Sequence, residues 1–278
     1  MSNAMISVVV TTYNRPDALS AVLRGCFDQS DMDFEIIVAD DGSGEPTRAC
    51  VDAFKRQSPV PMLHVWQPDL GFRLAMSRNR GILAARGDYI LLLDGDCIPQ
   101  RDYIAQHRRL AQPGCMVTGS RVLLGRSFTE RVLAQGLDLH RLGALDKLGL
   151  RLREEINKCA PLILSLPDAG RVRKGFSYRR IKGCNLAIWR SDLLRINGFD
   201  ESFCGWGHED TDAVLRLHHA GVRRKDGAYA TEVLHLWHEE ARRDDADHNL
   251  AVVRQRQRDG TIEALRGLRE HAPARQAY

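Results

Sequence analysis

Two carboxylates one glycine apart, Asp94-Gly95-Asp96, close an apolar run from Tyr89 to Leu93. Such a run, bounded by Gly87-Asp88 and Gly95, predicts a strand buried on both faces, as in a parallel sheet. Asp94 and Asp96 then stand together at its carboxyl end, where open α/β sheets place their ligands. Close carboxylates repel unless a cation or a shared proton lies between them. A polar turn is the other reading, because Asp and Gly both favour turns. Similar groups recur along the chain: Asp40-Asp41 after another apolar run, Glu209-Asp210 after Gly205-Trp206-Gly207-His208, and His235 and His238 in the run Val233 to His238.

The apolar patterning indicates what would position these groups. Ile6 to Thr12 is β-branched and apolar, which predicts a first strand. Pro16 suits the first turn of the helix that follows, where Leu19, Val22, Leu23, Cys26 and Phe27 repeat at helical spacing. Phe34 to Ala39 predicts a second strand, Pro46 to Gln57 a second helix and Met62 to Trp66 a third strand. Leu74 to Ala85 predicts a helix that buries Ala75, Ile82 and Leu83. Alternating strand and helix implies a mainly parallel sheet flanked by helices. Its carboxyl ends would carry Thr12-Tyr13, Asp40-Asp41 and Asp94-Asp96, a polar rim where a nucleotide would lie.

Beyond Asp96 the pattern loosens into a helix near Tyr103 to Leu110 and one strand over Met116 to Leu124. The segment 126–182 is Leu/Arg-rich and partly helical, with Pro161, Pro167 and Gly170 as breakers. An amphipathic helix carrying Ala213, Val214, Leu217 and Ala220 stops at Gly221. Glu209 and Asp210 fall in its first turn, where the helix dipole favours negative charge. Val233 to His238 predicts a last strand and Asp247 to Arg269 a charged terminal helix. The resulting division is a nucleotide-binding half at 5–124, a helical insertion at 125–180, an acceptor and catalytic half at 181–242, and a C-terminal helix and tail at 243–278.

The net charge of +4, from 40 Lys and Arg against 36 Asp and Glu, is too mild to argue for a nucleic-acid partner. Seven cysteines without a C-x-x-C pair read as reduced packing residues of a cytoplasmic protein. No apolar run approaches the roughly 18 residues of a membrane span, and no secretory leader is visible. The basic run 171–182 is mostly expected to be solvated loop; its other reading is peripheral contact with the inner face of the membrane.

Six stretches, taken in order, resemble family 2 glycosyltransferases of the GT-A (Rossmann-like) α/β fold. They are Val10-Thr11-Thr12-Tyr13-Asn14-Arg15, Asp40-Asp41-Gly42-Ser43, Ser77-Arg78-Asn79-Arg80-Gly81, Asp94-Gly95-Asp96, Asn197-Gly198-Phe199-Asp200-Glu201 and Gly205-Trp206-Gly207-His208-Glu209-Asp210. The last two are similar to the C-terminal region of β-1,4-galactosyltransferases and chondroitin-polymerase-like enzymes. The resemblance implies that Thr12, Tyr13 and Arg15 border the base and that Asp41 accepts a hydrogen bond from a uracil-like ring. It implies further that Arg78 and Asn79 reach the ribose or diphosphate. Asp94 would meet ribose and metal, and Asp96 would bind the metal, with His238 as first-choice histidine ligand and His235 as second. Trp206, Gly207 and His208 would border the acceptor. Relatives commonly carry a small residue or proline where His208 stands, so acceptor identity does not transfer through it.

Carboxylates and phosphate oxygens, with an imidazole, suit Mn2+ or Mg2+. The expected reaction is inverting transfer from a nucleotide-sugar, UDP-linked by expectation, to a glycan or glycolipid acceptor. Asp210 is the expected base, with Glu209 and Asp212 competing nearby. Two alternatives are a sugar-nucleotide-binding module without activity and a nucleotidyltransferase. The latter usually carries a Gly-rich phosphate loop after the first strand, where this chain has Tyr13-Asn14-Arg15-Pro16. A dehydrogenase is disfavoured because no G-x-G-x-x-G follows a strand.

Overall fold

The computed structural model describes residues 4–203, 205, 207–239 and 246–271. Strand and helix alternate through the first third: β1 Ile6–Thr12, α1 Pro16–Phe27, β2 Phe34–Asp40, α2 Glu45–Arg56, β3 Met62–Trp66, α3 Leu74–Ala84 and β4 Tyr89–Asp94. The chain continues through β5 Cys97–Pro99, α4 Tyr103–Leu110, β6 Cys115–Thr118, β7 Ser120–Leu123, α5 Arg126–Gln135, α6 Ala144–Leu152 and α7 Ala160–Ile163. Its last third holds β8 Asn185–Trp189, α8 Arg190–Arg195, α9 Glu209–His219, β9 Arg223–Asp226, β10 Glu232–His235 and α10 Ala246–Asp259.

The main sheet has the order β3-β2-β1-β4-β8-β6-β9. β1 to β4 pair in parallel, whereas β8 runs antiparallel to both β4 and β6, so the sheet is mixed. Apolar layers cover both faces. Val8, Val10, Leu91 and Leu93 pack toward α1, while Val9, Ile37, Ile90 and Leu92 pack toward α3, α8 and α9. Two-sided burial explains why β4 reads as an unbroken apolar run. Each of its fully buried leucines contributes about 1.5–3 kcal/mol.

The single strand expected over Met116 to Leu124 is two strands. At Gly119 the chain leaves the main sheet, where β6 pairs with β8 and β9, and enters a small sheet ordered β5-β10-β7. The last strand is also shorter than expected, ending at His235 rather than His238. The terminal helix stops at Asp259, where Gly260 takes φ +66°. α10 is tied to α9 by Arg256, which donates to Asp200 at 2.6 Å and Asp212 at 2.8 Å, both fully buried.

Candidate active site

The carboxyl ends of the parallel strands lie level: Thr12 is opposite Asp40, and Thr11 is opposite Asp94. Gly95 turns the chain by donating its N–H to the Thr11 carbonyl at 2.7 Å. A Cβ on Gly95 would come within 2.5 Å of that oxygen, so only glycine fits between the two carboxylates. Asp94 Oδ1 accepts from the Thr11 hydroxyl at 2.9 Å and from Arg78 at 3.1 Å. Neither bond uses Oδ2.

Arg78 joins the two halves of the chain. It lies on α3, 1% exposed, and its Nη1 donates to Glu209 at 3.0 Å at the start of α9, while Nη2 makes the bond to Asp94. Its face lies over the Phe199 ring at 5.3 Å. Burial works against the cation, but Asp94, Glu209 and Asp210 more than offset it and raise its pKa. Burial and the neighbouring Asp210 push Glu209 up to about 7, against the pull of Arg78. Asp210 is held differently: its Oδ2 accepts the Gly183 N–H at 2.7 Å, and its Oδ1 accepts from Thr211. Gly183 sits where a Cβ would meet Arg78 at 2.8 Å and Asp210 at 3.1 Å, so the backbone itself lines this point.

Asp96 faces two imidazoles. His238 Nε2 lies 3.3 Å from its Oδ2, and His235 Nε2 lies 3.8 Å from its Oδ1. Because β10 ends at His235, strand alternation does not carry on to His238, and the rings meet at 5.2 Å instead of facing opposite ways. Burial lowers the pKa of His235 despite Asp96, favouring the neutral imidazole that ligates metals. Asp96, Cys97 and His235 offer ligand atoms within 4.8 Å of one another. Burial raises the Cys97 thiol well above its ordinary value. Asp96 and the two imidazoles offer carboxylate oxygen and imidazole nitrogen, donors that fit Mn2+ or Mg2+.

The expected nucleotide contacts divide. Thr12 is buried, with its hydroxyl unpartnered among the described residues. Tyr13 is 49% exposed and donates its hydroxyl to Asp69 at 2.9 Å. Arg15 pairs with Asp17 at the surface. Asp41 is buried, which raises its carboxyl, and accepts from Gln67 at 2.5 Å and the Arg73 N–H at 2.8 Å. Asn79 does not reach the rim. It is fully buried, and its amide is spent on the Phe199 backbone, at 2.8 Å in both directions, and on Glu201. Its part is to fix the Phe199-Asp200-Glu201 turn.

On the acceptor side, Trp206 lies outside the described residues. Gly207 and His208 take φ +111° and +72°, and His208 stands at the N-cap of α9 without a side-chain cap bond. The basic run 171–182 is knit into the protein at Arg171 and Arg173. Arg171 is buried on the carbonyls of Leu166, Pro167, Asp226 and Ala228, and Arg173 and Arg180 face Asp226. Lys174, Arg179, Arg180 and Lys182 are exposed, Arg180 with a nitrogen 3.7 Å from Asp226. No helix among the described residues is long and apolar enough to cross a membrane.

The model for glycosyl transferase family 2 matches residues 7–164. The chain belongs to that family. A second model, described as the N-terminal domain of galactosyltransferase, matches residues 169–239. The chain is 29% identical over 249 residues to a chondroitin synthase of Escherichia coli, covering 81% of this chain and 34% of that protein. It is 29% identical over 234 residues to a validoxylamine A glucosyltransferase of Streptomyces hygroscopicus, covering 78% and 52%. It thus spans about a third to a half of these relatives' length. A mannosyltransferase of Pyrobaculum calidifontis, solved in complex with GDP-Man and Mn2+, superposes with a TM-score of 0.57 at 18% identity, over 92% of this chain and 62% of that one. S. aureus TarS 1–349 superposes with a TM-score of 0.55 at 12% identity, over 96% and 68%. These neighbours share the GT-A fold expected of this family 2 member.

Four groups at the site were not anticipated from the sequence: Thr11, Gln67, Arg73 and the Gly183 backbone. Thr11 stands inside the first of the six stretches without an expected role, Gly183 lies in none of them, and Gln67 and Arg73 sit in a loop without a motif. Their link to Asp41 is visible only in three dimensions.

Proposed function

We propose that this family 2 protein catalyses inverting transfer of a sugar from a nucleotide-sugar, UDP-linked by preference, to a glycan or lipid-linked acceptor in polysaccharide synthesis. The observation that carries the reading is Arg78, buried between Asp94 on the donor side and Glu209 beside Asp210 on the acceptor side. The relatives named chondroitin synthase support a polysaccharide product.

On this reading 5–124 holds the nucleotide, with Tyr13, Arg15 and Asp41 toward the base. The half at 181–242 receives the acceptor against Trp206, Gly207 and His208. Asp94, Asp96 and His238, with His235 as the alternative, would hold a divalent cation. When bound, that cation supplies Lewis-acid neutralisation of the diphosphate's charge. Asp210, oriented by the Gly183 N–H, takes the proton from the acceptor hydroxyl as its oxygen attacks the anomeric carbon. The bond to the diphosphate breaks on the opposite face, giving inverted configuration. A base so placed contributes roughly 10²–10⁴ in rate. Glu209 keeps Arg78 in place, and Arg78 in turn orients Asp94.

The test is transfer from UDP-sugars to oligosaccharide acceptors, with the anomeric configuration of the product read by NMR. An α-linked donor should yield a β-linked product, and Asp210→Asn should lose at least about a hundredfold in kcat with donor affinity intact. A retained configuration, or full transfer by Asp210→Asn, would refute the reading.

A further inference from the structure

The end of the small sheet nearest Asp96 brings a thiol within reach of the groups assigned to the donor's cation. β5 and β10 pair antiparallel, and Cys97 stands opposite His235 in that register. Opposed residues of an antiparallel pair carry their side chains on one face, with Cβ atoms about 4.5–5.5 Å apart. The Leu236 N–H donates to the Asp96 carbonyl at 2.9 Å, which pins Asp96 to the end of β10. Backbone pairing thus gathers a carboxylate, a thiol and an imidazole, and the ligand atoms of Asp96, Cys97 and His235 lie within 4.8 Å of one another.

The spacings suit one class of cation. Cys97 Sγ is 3.4 Å from Asp96 Oδ1, and His235 Nε2 is 3.8 Å from the same oxygen. Zinc takes sulfur at about 2.3 Å and nitrogen or oxygen at about 2.0–2.2 Å, so the edges of its tetrahedron measure roughly 3.3–3.7 Å. The sulfur–oxygen contact falls in that range, and the nitrogen–oxygen contact lies just beyond it. His238 Nε2, 3.3 Å from Asp96 Oδ2, offers the fourth donor of a closed site. Mg2+ and Mn2+ favour oxygen-rich sets, whereas a thiolate beside imidazole selects zinc and its borderline-soft neighbours. Cys97 is fully buried, but the Asp96 and His238 side chains are 22% and 39% exposed, which leaves an ion a way in.

We propose that Asp96, Cys97, His235 and His238 form a thiolate-containing zinc site that overlaps the place of the donor's cation. Binding exchanges the Cys97 S–H bond for an S–Zn bond and releases the proton to solvent, with no change of oxidation state. The ion takes Asp96 and His235 out of use for a harder metal. Zinc binding rests on this geometry alone. That it displaces the manganese of the donor complex rests on the function proposed above, because the two ions would share Asp96.

The experiment loads the metal-free full chain with one equivalent of Zn2+ or Co2+. X-ray absorption of the zinc form should show one sulfur at about 2.3 Å, and the cobalt form should show a thiolate-to-metal charge-transfer band. Both should vanish in Cys97→Ser and survive in Cys184→Ser, which alters another buried thiol. Competition with a chromophoric chelator should show the preference for zinc over manganese falling about tenfold or more in Cys97→Ser, a 1.4 kcal/mol change. If Cys97→Ser does not fold, the zinc–sulfur distance in the parent and its loss in His235→Ala decide alone. Failure to bind zinc, zinc surrounded by nitrogen and oxygen only, or a cobalt–thiolate band that persists in Cys97→Ser would overturn the proposal. Electron paramagnetic resonance of Mn2+ in the presence of UDP-sugar separates the two claims. Zinc should release bound manganese from the parent, and manganese that stays bound beside zinc overturns the shared site. UDP-sugar binding that ignores manganese, with the zinc–sulfur site intact, refutes the donor reading and leaves the zinc site standing.

Discussion

Replacing Arg78 with methionine removes the cation that bridges the donor carboxylate and α9. The guanidinium makes charge-assisted bonds of 3.1 Å to Asp94 and 3.0 Å to Glu209, with 1% of its surface exposed. Its loss leaves two carboxylates facing each other in a largely dry site, with Asp210 close by. Breaking a buried pair in this way costs about 3–5 kcal/mol. For a chain of this size that corresponds to a fall in Tm of roughly 6–20 °C. The partner variant Glu209→Gln removes one of the stranded charges, so Arg78→Met/Glu209→Gln should be more stable than Arg78→Met by about 0.5–3 kcal/mol. Urea unfolding of the four proteins of the cycle measures this, and donor KM should rise wherever Arg78 is absent because Asp94 loses its anchor. An Arg78→Met protein within about 1 kcal/mol of the parent would show that the network does not bind the two halves together.

Gly95→Ala forces a Cβ against the Thr11 carbonyl at 2.5 Å and should destabilise by about 1–3 kcal/mol while displacing Asp96, a loss measurable by thermal melting and donor titration. His107 is fully buried, and burial lowers it to about 3, below its unfolded value near 6.5. The unfolded state therefore binds the extra proton between these values, so His107's share of stability is complete above pH 6.5 and is lost as pH falls toward 3. His107→Leu should narrow the drop in stability between pH 8 and pH 5.5 by about 1.4 kcal/mol in urea melts. Arg256→Met should loosen α10 from Asp200 and Asp212, and faster hydrogen exchange in α9 would report it.

Much of the frame was legible because burial leaves a simple mark. β1, β2 and β4 are apolar on both faces, and the carboxylates that end β4 interrupt that mark abruptly. α3 is harder to read, because its buried residues include Ser77, Arg78 and Asn79, and hydrophobic periodicity has no way to mark a buried arginine. Motif resemblance singles out Asn79, but residue type says nothing about which way the amide faces. A strand running on to His238 would put the two histidines on opposite faces; backbone pairing with β5 and β7 ends at His235, and His238 lies toward Asp96. The split at Gly119 was hidden because both halves of that run are strand, differing only in the sheet they join.

The central claim is that Asp94 and Asp96 hold the cation of the donor diphosphate. It is tested most directly by calorimetric titration of UDP-sugar into the parent chain and Asp96→Asn, with Mn2+ and with EDTA. The account predicts that EDTA and Asp96→Asn each weaken donor binding about tenfold or more, or 1.4 kcal/mol, and that together they do no more than either alone. Full dependence on Mn2+ persisting in Asp96→Asn would contradict it.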